Sequence, residues 1–143
     1  MNASDTEHFN TEAGGTPTGP GRYVDVAAIA PVEYVPGLQF RPVLGDGSLV
    51  NFVSFDKHTE APRHMHPEEQ IVVVVEGEFE FDIDGKVRTM RTGDVAVIPA
   101  WTPHGARTHD SICREIDVFT PPRATLIDHA RAAIVLEETP EQH

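Results

Sequence analysis

The chain has 143 residues and a mass of 15.7 kDa, which leaves room for one hydrophobic core and tails. Apolar residues make up 39% and charged residues 24%, the balance of a soluble globular domain, and no apolar run approaches the ~18 residues of a membrane span. Eleven Lys+Arg against 23 Asp+Glu give a net charge of −12, a surface that repels phosphate backbones and anionic lipid and argues against nucleic acid or a membrane as partner.

Residues 1–22 (MNASDTEHFNTEAGGTPTGPGR) are polar, rich in Gly, Thr and Pro, and carry little to bury; a flexible tail is expected. They lack the basic start and apolar middle of a secretory signal, so the expected location is cytoplasmic. Tyr23–Pro36 reads as a lead-in segment at the domain edge. Strands follow, separated by turn signals: Gln39–Leu44, a Gly45-Asp46-Gly47 turn, and Ser48–Phe55 with Leu49, Phe52 and Phe55 as candidate core. Lys57–Arg63 reads as a loop. Gln70–Val75 is the most β-prone run, and Glu76-Gly77 is expected to turn it into EFEFDI, where Phe79, Phe81 and Ile83 alternate with Glu78, Glu80 and Asp82. That strict period of two makes one face dry and the other wet. Asp84-Gly85 is a hairpin turn because both positions tolerate positive φ. Lys86–Met90, Val95–Ile98, His104–Thr108 and Ile112–Thr120 complete the strands, with a proline-stiffened corner at Pro99–Pro103.

Short strands at this spacing, with almost no helical periodicity, specify an all-β sandwich or barrel over residues 23–123. Residues 124–143 form a C-terminal extension. Leu126, Ala130 and Ala133 fall near a 3.6-residue repeat, so a short helix can form there, although Ile134-Val135-Leu136 can equally extend an edge strand. Cys113 is the single cysteine, which rules out an internal disulfide and a multi-cysteine zinc site. With no base near it in the sequence, it reads as a small core residue.

Eight histidines in so short a chain are the first functional signal. The chemistry concentrates in PRHMHPEEQ and PAWTPH. If residues 64–70 are extended, His64, His66 and Gln70 share one side, while Glu69 faces the other; a bend at Pro67 would reverse that choice and make Glu69 the oxygen donor. His104 stands at the proline corner of the second segment. Three imidazoles and one side-chain oxygen can converge on one divalent cation, and this donor set suits Zn, Ni, Fe, Mn or Co with positions left open for water or substrate.

These residues stand in two motifs, and through them the sequence resembles the cupins. The first cupin motif is usually written G(x)5HxH(x)3,4E(x)6G and the second G(x)5PxG(x)2H(x)3N. Residues 58–77 match the first through His64, His66 and Gly77, with His58 at its opening glycine and Gln70 at its glutamate. Residues 93–108 match the second through Gly93, Pro99 and His104, with Trp101 at the inner glycine and Thr108 at the asparagine. The resemblance implies a small, single-domain, RmlC-like cupin: a double-stranded β-helix (jelly-roll) barrel. Many small cupins read HxHPxEQ, and in the enzymes among them the glutamine oxygen is a metal ligand. A His3Gln shell is neutral, so a bound ion keeps its +2 charge and favours polarising an oxygen over redox cycling. Small cupins also commonly pair through their sheets, so a homodimer is expected.

The last informative stretch is REIDVFTPPR, residues 114–123. On an extended strand Cys113, Glu115, Asp117 and Phe119 share one face. A carboxylate between Ile116 and Val118 is costly to bury alone, and Arg123 on its Pro-Pro corner is the expected partner, at the least as a pair that pins the chain's exit. Glu115 reads as a second acid or a solvated strand end, and Trp101 as a pocket wall or a rim aromatic. DVFTPPR further resembles the DVFSPPR-type ending of small cupins that open and linearise 4,5-unsaturated uronates. In that group the residues matching Asp117 and Arg123 line the pocket and are needed for activity. The resemblance therefore implies a metal-dependent isomerase-type enzyme for a small, anionic sugar acid or keto-acid. A cupin dioxygenase and a non-catalytic ligand-binding cupin use the same barrel and stay as alternatives.

Overall fold

Stretches with a period of two become strands wherever one face can be buried. The computed structural model describes residues 8–12 and 14–137; the remainder of the expected tail and the last residues of the extension lie outside the described residues. Among the described residues there are nine strands: β1 (Val32–Val35), β2 (Leu38–Leu44), β3 (Leu49–Phe55), β4 (Glu60–His64), β5 (Glu69–Ile83), β6 (Lys86–Arg91), β7 (Val95–Ile98), β8 (His104–Arg107) and β9 (Cys113–Thr120). A 3-10 turn at Ala124–Leu126 leads into one helix, α1 (Ile127–Glu137), so the helical reading of the extension holds over the edge strand. Residues 14–22 are exposed, and Arg22 ties their end to Glu137 at 3.1 Å.

The strands pair antiparallel in the order β1-β2-β3-β9-β5-β8-β4, with β6 and β7 also on β5. The long β5 belongs to both walls of the barrel. Its first half pairs with β9 and β7, and its second half pairs with β6 and β8. The expected turn at Glu76-Gly77 is therefore absent. A bulge between Val74 and Glu76 re-aims the strand instead, as bulges do where a sheet bends. Gly77 sits there at φ 75°, and a Cβ on it would overlap the Ile112 carbonyl oxygen, so the crossing of two backbones demands glycine.

Two further expectations change. Lys57–Arg63 is not all loop, because Glu60–His64 forms β4 and places His64 directly opposite His104 on β8. Its residues are mostly exposed, so the backbone ladder holds it without a dry face, and Pro62 is tolerated in an irregular stretch of that edge. Phe52 is not core. It lies outward on β3, while Leu49, Asn51, Val53 and Phe55 face in.

The core holds Val53, Phe55, Val72, Val74, Phe79, Phe81 and Met90. Cys113 is buried with them, and burial pushes its thiol up to about 12, which makes it an inert core residue as expected. A second cluster packs Leu126 of the 3-10 turn and Ala130 of α1 against Leu49 and Phe119.

Candidate metal centre and cavity

The pairing of His64 with His104, and the two-residue step from His64 to His66, bring three imidazoles to one end of the barrel. One ring nitrogen from each lies within 4.8 Å of the others. A tetrahedral ion with bonds of about 2.1 Å needs nitrogens about 3.4 Å apart, which small ring rotations reach. The ring orientations fit such an ion. Each Nδ1 faces a backbone carbonyl: His64 to Pro62 at 2.8 Å, His66 to Glu68 at 3.0 Å and His104 to Thr102 at 2.8 Å. A carbonyl can only accept, so every Nδ1 carries the proton and every Nε2 presents a lone pair. The buried Nε2 of His104 has no hydrogen-bond partner among the described residues, as a ligand nitrogen should.

Gln70 is buried on the same side, and its Oε1 lies 3.0 Å from His66 Nε2. The amide also faces the Asp117 side of the cavity and restrains the rise of that carboxyl's pKa. With its nitrogen on that side, the oxygen is turned to the histidines. Two lone-pair atoms at 3.0 Å make a natural cation position. Glu69 is exposed, so the bend at Pro67 does not bring it into the site.

Both imidazoles inside the barrel are held neutral. Burial lowers the pKa of His66, and the Arg123 charge lowers it further. Burial pushes His104 down to about 4 against the upward pull of the Thr102 carbonyl, with His64, His66 and Arg123 adding to the depression.

The expected ion pair between Asp117 and Arg123 is not formed among the described residues; each of the two has a different neighbour. Arg123 points to Glu68, Nη1 to Oε1 at 3.5 Å. The same carboxylate accepts from the Ala124 backbone N–H at 3.0 Å and stands 3.4 Å from His66 Nδ1. Glu68 thus ties the histidine loop to the start of the C-terminal helix. Its reach across 55 residues hides it in the sequence. Asp117 instead faces Glu115, which is buried and not a solvated strand end. Burial raises the pKa of both, and Asp117's charge raises Glu115 further; hydrogen bonds from Glu115 and Gln70 restrain the rise at Asp117. The pair therefore holds a proton on the Glu115 side well above the usual carboxylate range.

His64, Gln70, His104, Asp117 and Arg123 all line one cavity of about 410 Å³, within the size range of small-molecule sites. His66 stands behind this wall, edge-on to Phe119. Aromatic residues line the cavity as well: Phe55 contacts Phe79, Phe79 contacts Phe81, and Phe81 stacks beside His104 at 6.2 Å. Asn51 is 1% exposed and also faces the cavity. Sequence reasoning passed over it, although a polar residue in phase with Leu49, Val53 and Phe55 is a visible break in a core pattern. Trp101 does not line the cavity. It is 61% exposed, keeps the φ of 65° that its motif glycine position requires, and its N–H donates to the His66 carbonyl at 2.8 Å. His58 and His109 are exposed, beside Asp110 and Glu80. Met65, between His64 and His66, is exposed.

A jelly-roll barrel with three histidines converging from two motif segments has the cupin fold, and it carries a site that can hold a metal ion. A family model described as a cupin domain matches residues 51–119. Among solved structures, KdgF from Halomonas sp. is 29% identical with a TM-score of 0.70, over 75% of this chain and 99% of that one. An RmlC-like cupin from Shewanella frigidimarina NCIMB 400 is 26% identical with a TM-score of 0.68, over 75% and 96%. The polyketide cyclase RemF from Streptomyces resistomycificus, at 20% identity and a TM-score of 0.63 over 71% and 80%, shares the fold. No curated protein matches the chain in sequence. No helix among the described residues is long and apolar enough to cross a membrane.

Proposed function

We propose that this chain is a metal-dependent cupin enzyme of the isomerase type, which opens and tautomerises a small anionic sugar acid or keto-acid such as a 4,5-unsaturated uronate. The observation that carries the reading is the opening of His64, His104, Gln70, Asp117 and Arg123 onto one cavity. His64, His66, His104 and Gln70 would hold one divalent ion, which when bound supplies Lewis-acid polarisation of a substrate oxygen.

The remaining steps belong to the chain's own groups. Arg123 holds the substrate carboxylate by a charge-assisted contact, and Glu68 fixes the guanidinium against the barrel wall. Asp117 takes the proton of the hemiacetal hydroxyl as the ring C–O bond breaks, which leaves a carbonyl and an enolate. It then delivers that same proton to the enolate carbon, which completes the second carbonyl, so no electrons leave the substrate. Glu115, hydrogen-bonded to Asp117, keeps a proton within the pair through both steps. The aromatic residues exclude water from the enolate. The test is loss of the conjugated-enol ultraviolet signal of an unsaturated uronate, in metal-supplemented protein with and without oxygen. Wild type should remove the signal without oxygen, and Asp117→Asn and His104→Ala should not. A folded, metal-loaded wild type that leaves the signal intact sinks the reading, and a reaction that needs oxygen replaces it with a dioxygenase.

We also infer a homodimer. The outer face of the sheet carries one unbroken cross-strand row, Val43-Val50-Val118-Ile71-Val97, and beside it Phe52-Ile116-Val73-Val95. Val95 and Val97 are each 57% exposed. Five strands about 4.8 Å apart make this patch about 20 Å wide, on the scale at which apolar surface marks an interface, and a second copy would cover it face to face.

A further inference from the structure

Asn51 lies on β3 directly opposite Asp117 on β9, and Glu115 is the next inward residue along β9. All three line the cavity. Asn51 is 1% exposed, yet neither its Oδ1 nor its Nδ2 has a hydrogen-bond partner among the described residues. Glu115 Oε2 and Asp117 Oδ1 are equally without one, although the two carboxyls bond each other. Four unsatisfied polar atoms on three adjacent buried side chains are a heavy burden for a small core. A ligand that bonds them removes it.

The atoms also define that ligand. The amide edge of Asn51 presents one donor and one acceptor side by side, and the carboxyl oxygens present acceptors. A hydroxyl both donates and accepts, so hydroxyls on neighbouring carbons match this wall. A bare carboxylate would add acceptors to acceptors, and an unsubstituted hydrocarbon would leave all four atoms unpaired. We propose that Asn51, with the free oxygens of Glu115 and Asp117, forms a hydroxyl-binding wall that selects polyhydroxylated ring acids over keto-acids without hydroxyls. This narrows the substrate class of the function proposed above and takes its site from that reading. Asn51 is a specificity residue, set apart from the proton transfer.

Two measurements test it together. Calorimetry on zinc-supplemented protein compares glucuronate with cyclohexanecarboxylate, which has a six-membered ring and a carboxylate but no hydroxyls. Wild type should prefer glucuronate by at least about tenfold, the factor for leaving one buried group unpaired, and Asn51→Leu should erase that preference. In the metal-free state Asn51→Leu should melt at or above the wild-type temperature, because it replaces two unsatisfied atoms with apolar ones of similar size. Asn51→Ser is the second variant, keeping one hydroxyl and part of the preference if Asn51→Leu does not fold. A wild type with no preference, including no measurable binding of either acid, overturns the proposal, as does a preference unchanged in the variants. Turnover is not read here. Asn51-dependent glucuronate binding by a protein that leaves unsaturated uronates intact would remove the isomerase reading and keep the wall. Uronate turnover indifferent to Asn51 would do the reverse.

Discussion

Replacing His104 with Gln should flatten the acid side of the metal-free protein's stability curve. His104 is 2% exposed, and burial first, with the nearby positive groups behind it, pushes its pKa from 6.5 to about 4. Its folded value is depressed, so the unfolded chain takes up the proton first. Stability is lost as the pH falls from 6.5 toward 4. At about 1.4 kcal/mol per pH unit, this gap is worth about 3 kcal/mol well below pH 4 and about 2 kcal/mol at pH 4.5. In a domain of this size that is a shift of about 4–8 °C in Tm. Urea unfolding of both proteins at pH 7 and pH 4.5, with chelator present, gives the comparison. The other titrating groups are common to both and cancel. Wild type should lose about 2 kcal/mol more than His104→Gln, and equal losses would refute the claim that the ring is buried and neutral.

Glu115 acts in the opposite direction. Its folded pKa is raised by burial and by Asp117, so its stabilising effect is lost as the pH rises above the usual carboxylate range; Glu115→Gln should melt progressively higher than wild type between pH 5 and pH 8, and a constant difference would contradict this. Val97→Asp places a charge on the apolar outer row. It should convert a dimeric wild type to a folded monomer in analytical ultracentrifugation, whereas a monomeric wild type would remove the interface. Gly77→Ala meets both a positive φ and the Ile112 carbonyl, and should lose more than about 3 kcal/mol in denaturant unfolding; a loss below about 1 kcal/mol would show that the crossing can relax.

Local signals carried the barrel. EFEFDI alternates because one face of β5 is dry, and it reads correctly from six residues. His64, His66 and Gln70 are legible from their spacing within one motif, although the chain leaves the strand between His64 and Glu69, so a continuous period of two is not what brings them together. What the sequence concealed depends on backbone pairing or on distance. β4 has no dry face, so no hydrophobic pattern announces it. The Val74–Glu76 bulge looks like a turn because Gly77 is there for a close approach and not for a chain reversal. The Asp117–Arg123 pair failed for a similar reason. Proximity along the chain favoured it, while the fold brings Glu68 to Arg123 and Glu115 to Asp117. The shared face of Cys113, Glu115 and Asp117 followed from parity on β9; the burial of Glu115 did not, because a carboxylate on a strand reads equally well as a solvated end.

Metal titration is the most direct test of the central claim. Chelator-stripped protein is titrated with Ni(II) or Zn(II) by calorimetry, and melting is followed with the ion in excess. Wild type should bind one ion per chain and gain about 3 kcal/mol at 100-fold excess over Kd, some 6–11 °C in Tm. His64→Ala, His66→Ala and His104→Ala should each abolish both effects while keeping the β-sheet circular dichroism. Stoichiometric binding that persists in all three variants, or a wild type that takes up no ion, would contradict the account.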